Sequence, residues 1–100
     1  MNSDEEEKLK HELNSQTGKI TWPELEKHFA RGVVIKVSHD LDLVEVALSI
    51  TKDNKQKVTA LLEENQLQHA SIDDAKLWVE NQPTFWAIVA APWVLIQEIA

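Results

Sequence analysis

Glu24 and His28 stand four residues apart in "WPELEKHF", so a helix would place a carboxylate and an imidazole on one face, within reach of one metal ion. A catalytic zinc usually takes three ligands from the protein, so the pair is incomplete by itself. His39, in the acidic turn "SHDLD", is the candidate third ligand if the fold carries it there. The plainer reading makes Glu24–His28 a surface pair and leaves Asp40 and Asp42 to cap a helix. Arg31, the one arginine, also invites two readings. At the end of the same helix its guanidinium can neutralise helix carbonyls, or it can anchor an acidic ligand in a pocket walled by Trp22 and Trp78.

Covalent chemistry finds little to use. The chain has no cysteine, which removes thiol nucleophiles, thiolate metal sites and disulfides together. Serines and threonines fall mostly at helix caps, with no G-x-S-x-G elbow. The two glycines, Gly18 and Gly32, cannot build a loop that cradles phosphate. The balance is against an enzyme, with no catalytic residue and no cofactor implied.

One hundred residues with 43% hydrophobic and 27% charged side chains suit a single domain, residues 1–100, with one modest core. The formal charge is −7, and nine of the ten basic residues are lysines scattered along the chain. That balance repels a phosphate backbone, so nucleic acid is excluded as a partner. The opening "MNSDEEEKLK" is acidic where a secretory signal is basic, and the expected compartment is the cytoplasm.

The elements follow from caps and periodicity. Residues 1–17 read as an acidic, loosely docked helix with a capping box from Ser3 to Glu6, an apolar face of only Leu9 and Leu13, and Gly18 as its stop. Thr21 with Glu24 forms a second box and opens a helix over 22–31, where Trp22, Leu25 and Phe29 share a face before Gly32. "VVIKV", residues 33–37, alternates as a strand. Asp42 caps a helix with Leu43, Val46, Ala47 and Ile50 inward, and Asp53 with Gln56 caps a shorter one striped by Val58, Leu61 and Leu62. "QLQHA" fits a brief edge strand. Ser71 then starts a helix in which Ile72, Ala75, Trp78 and Val79 share an apolar face.

The run "FWAIVAAPWVLIQ", residues 85–97, is apolar on both faces as a strand. It is too short for a membrane helix, which needs about 20 apolar residues, and Pro92 interrupts it. It is therefore either central with both sides covered or a subunit contact. Phe85, Trp86, Trp93 and Leu95 are the candidate contact residues, since monomers rarely expose large apolar patches and symmetric dimers are common. The expected class is α+β, with four to five helices on a small, mainly antiparallel sheet built from strands near 33–37 and 84–97.

"ITWPELEKHFARGVVIKV", "LDLVEVALSI" and "FWAIVAAPWVLIQE", in this order and at these separations, resemble the bacterial domain-of-unknown-function family numbered 2288. The resemblance runs from about Leu13 to Glu98 and implies a small, stand-alone bacterial protein, with no activity or cofactor attached. Two functional expectations stand. One is a non-enzymatic interaction module that self-associates, or binds a protein, through the Trp/Val-rich C-terminal strand region. The other is a domain, or an enzyme, that binds a small anionic molecule near Arg31 and the tryptophans. The first needs an exposed apolar patch. The second needs a concave pocket with Arg31 or a histidine turned inward.

Overall fold

The C-terminal run folds back on itself. In the computed structural model, which describes residues 3–99, it forms β4 (Thr84–Ala90) and β5 (Trp93–Glu98), an antiparallel hairpin turned at Ala91 and Pro92. Ahead of it come α1 (Ser3–Gln16), β1 (Gly18–Thr21), α2 (Trp22–Ala30), β2 (Val34–Val37), α3 (Leu43–Thr51), α4 (Lys55–Glu63), β3 (Leu67–His69) and α5 (Ile72–Asn81). The strands join one sheet in the order β1-β4-β5-β2-β3. All neighbours are antiparallel except β2 and β5, which run parallel with Val34 beside Val94. Among the described residues this is the α+β class, with five helices and a mixed sheet.

Both faces of the sheet are covered. Ile35, Val37, Ile88, Ala90 and Leu95 point to one side and pack against Leu13 of α1, Leu43, Val46 and Ala47 of α3, and Leu61 of α4. Val34, Phe85, Val94 and Ile96 point to the other side and meet Trp22 and Leu25 of α2 and Trp78 of α5. Successive strand residues face opposite ways, so each face of an all-apolar strand needs its own layer of helices. The hairpin is central in this sense. Full burial of one such side chain contributes roughly 1.5–3 kcal/mol, and Phe85, Ile88, Leu95 and Ile96 are all essentially inaccessible.

Local chemistry sets the helix starts. Asp42 caps α3 by accepting from the backbone N–H of Val44 at 2.9 Å. Ser71 and Asp74 form a reciprocal capping box at α5. The box expected at Thr21 does not close on the backbone; its hydroxyl meets the Glu24 carboxylate instead, at 3.4 Å. The box expected at Ser3 lies outside the described side chains. Asn54, not Asp53, caps α4, accepting from Lys57 N–H at 3.3 Å. Asp53 takes a left-handed conformation (φ 55°) that reverses the chain after α3, and so it cannot serve the next helix.

Two further expectations are corrected. Gly18 does not stop α1, which ends at Gln16 with Thr17 N–H on Asn14 O at 3.2 Å; Gly18 opens β1 instead. Ile72 and Val79 are exposed, because each lies about 100° or more round the helix from buried Trp78, beyond the narrow stripe that α5 turns to the sheet. Truncating Phe85 to alanine should cost about 3–5 kcal/mol in urea unfolding of the dilute protein. A loss below about 1 kcal/mol would show that the ring is not a core residue.

Candidate functional site

The residues singled out by type do not gather into one site. Arg31 is exposed, caps the C-terminus of α2 through its own backbone N–H on His28 O at 3.1 Å, and lines neither of the two recesses described below. Trp22 and Trp78 are closed inside the core. Their ring centroids lie 5.8 Å apart, and Phe29 and Phe85 meet them edge-on at 5.8 and 5.1 Å. No anion pocket forms between Arg31 and these rings.

The Glu24, His28 and His39 set is also divided. His28 lies before β2, touching Val33 N–H through its carbonyl, and His39 lies beyond the far end of that strand. Four extended residues, about 13 Å of chain, separate them. Among the described residues no three His, Asp or Glu side chains come together as a metal would require.

The candidate contact residues split by burial. Phe85 and Leu95 are fully buried, and no partner can reach them in the folded monomer. Trp86 is 37% exposed, with the Lys19 ammonium 5.3 Å from its ring centroid. Trp93 is half-buried at the opposite end of the hairpin, where it pairs with Ala90 while Trp86 pairs with Gln97. Trp86 and Trp93 therefore lie at opposite ends of the hairpin and not side by side.

Trp93 instead frames a recess of about 540 Å³ between α4 and the sheet. α4 supplies Val58, Thr59 and Leu62; the sheet supplies Ile35, Leu67 and Trp93; Asn54, Lys55 and His69 stand among them. His69 meets Trp93 edge-on, with centroids 5.5 Å apart. Leu62 is 45% exposed although it is a leucine beside a core residue. Such a hollow, apolar with a few donors, has the size and make-up of a binding cleft. Sequence reading did not single out His69 or the exposure of Leu62. One signal was present, since adjacent Leu61 and Leu62 lie about 100° apart on a helix and cannot both face the centre of the core.

A second recess of about 540 Å³ lies on the opposite face, along β2 and α5. Four of its polar groups, on Lys36, Asp74, Trp78 and Glu98, are already engaged. Lys36 Nζ meets Asp74 Oδ2 at 2.8 Å, the same oxygen accepts from Ser71 N–H and Oγ–H at 2.9 Å, and Trp78 Nε1–H donates to Glu98 at 3.3 Å. Burial alone would raise the Asp74 carboxyl, but the Lys36 ammonium and the Ser71 donors outweigh it and hold the group below the usual aspartate range. A depressed carboxylate adds stability above its unfolded pKa and loses it as pH falls through the folded value. Asp74→Asn should therefore cost about 1 kcal/mol at neutral pH. The deficit should shrink in acid below the usual aspartate range, followed by thermal melts across pH. An equal deficit at neutral and strongly acid pH would contradict this assignment.

The comparisons agree with this architecture. A family profile described as "Protein of unknown function (DUF2288)" matches residues 8–98. The NMR solution structure of PA1075 from Pseudomonas aeruginosa is similar at a TM-score of 0.81 and 45% identity, over 93% of this chain and 86% of that one. No curated protein matches. Since the profile spans the whole sheet and the helices that cover it, apart from the first residues of α1, the chain belongs to the DUF2288 family.

Proposed function

We propose that the protein is a bacterial, cytoplasmic, non-enzymatic interaction module that binds a protein through the face made by α4 and the tip of the β4–β5 hairpin. The observation that carries this reading is the recess in which half-buried Trp93 and exposed Leu62 stand on opposite walls. A large aromatic in a partly desolvated hollow, ringed by polar residues, is the usual anchor of a protein contact. Of the C-terminal Trp/Val region, Trp93 is the member the fold leaves at such a place. The absence of cysteine fits a reducing compartment. Neither nucleic acid nor a membrane suits a chain of charge −7 in which no described helix is long and apolar enough to cross a bilayer.

One observation favours the alternative, a small anionic ligand. His69 and Lys55 both stand at this recess, so that reading moves here from Arg31. Amide and indole correlation spectra of isotope-labelled protein, with and without unlabelled extract of the source cells, test the main proposal. The expected result is signal loss centred on Val58, Leu62, His69 and the Trp93 indole, abolished by Leu62→Asp. Loss centred on the β1 edge or on α5, with these signals unchanged, would overturn it.

A further inference from the structure

We propose that the partner at this face is a second copy of the same chain, paired with the first through antiparallel α4 helices about a two-fold axis at Thr59. The inference rests on the interaction reading above and names its occupant.

α4 carries its charges against its own dipole. Lys55 and Lys57 lie in its first turn with no acid there, and Glu63, followed by Glu64, ends it with no base in the last turn. A helix N-terminus is electropositive and favours acids, while the C-terminus favours bases. Among the described residues no ion pair relieves this. Lys10–Glu45, Lys36–Asp74 and Lys52–Glu6 pair elsewhere, and none of them involves Lys55, Lys57, Glu63 or Glu64. Local rules of this kind are most often broken at functional sites, and a partner could supply the missing charges.

The spacing says what that is. Lys55 and Glu63 lie four residues to either side of Thr59, and at about 100° per residue all three share one face of the helix. Laid antiparallel along this face, a second α4 sets its Glu63 against Lys55 and its Lys55 against Glu63. A two-fold contact makes each such pair twice, because the same patch serves both subunits. The two helix dipoles then also oppose each other. Thr59 is exposed and small at the crossing point, where a large side chain would hold the helices apart. Leu62 borders the same face and joins it to the Trp93 recess, which adds apolar surface beside the charge pairs.

A charge swap tests this. Lys55→Glu makes the face acidic throughout, and Glu63→Lys makes it basic throughout. Sedimentation equilibrium of the full chain up to millimolar concentration should show reversible dimers of the wild type. Each variant alone should associate about tenfold or more weakly, from like charges set opposite. An equimolar mixture of the two variants should recover a heterodimer, which also shows that both are folded. A wild type that stays monomeric, variants that dimerise as the wild type does, or a mixture that stays monomeric would each overturn the proposal. The spectra in cell extract judge the interaction face separately, so that reading can survive the loss of this one.

Discussion

The burial of the β4–β5 hairpin on both of its faces is the constraint to which the other elements answer. Phe85, Val94 and Ile96 need a cover on one side of the sheet, and Ile88, Ala90 and Leu95 need one on the other. α2 and α5 supply the first, while α1, α3 and α4 supply the second. β1 and β2 flank the hairpin laterally, so its backbone groups find partners along both edges where they pair. The apolar pattern ends at Gln97, whose side-chain amide donates to the carbonyls of Ser38 at 2.7 Å and Leu41 at 2.8 Å. That contact fastens the loop leading into α3 to the end of the last strand. A polar residue in the run thus finishes the strand and fixes a connection.

Much of this was legible. β-branched and aromatic residues in an apolar run interrupted at Pro92 marked the stretch as β, equally as two short strands or as one long bent strand, and the fold takes the first form. Asp42 and Ser71 announced α3 and α5 because a capping side chain satisfies specific backbone donors whatever the tertiary setting. The edge position of β3 also followed from the short segment "QLQHA". β1 was not legible. Gly18–Thr21 contains one apolar residue, Ile20, and is a strand because Thr84–Ala87 of β4 offers it a partner. The parallel pairing of β2 with β5 was hidden for the same reason, since it joins segments about sixty residues apart.

The site was less legible than the fold. Glu24, His28, Arg31 and the tryptophans attracted attention by type and spacing, yet residue type does not reveal which side of an element faces solvent. The helix over 22–30 turns its aromatic stripe into the core and leaves Arg31 outside. The recess at Trp93 assembles residues from β2, from residues 50–69 and from the hairpin tip, so no local pattern contains it. What survives of the sequence-based expectation is narrower. The C-terminal run is spent mainly inside the monomer, and it reaches a candidate contact face only through Trp93 and the turn before it.

Native-state hydrogen exchange on a dilute sample tests the central claim most directly. If the hairpin is the doubly covered centre of a single chain, the amides of Ile88, Leu95 and Ile96 should exchange only through global unfolding, at rates independent of protein concentration. Faster exchange of these amides on dilution would contradict the account, because it would mean that a second subunit, and not the chain's own helices, shields the hairpin.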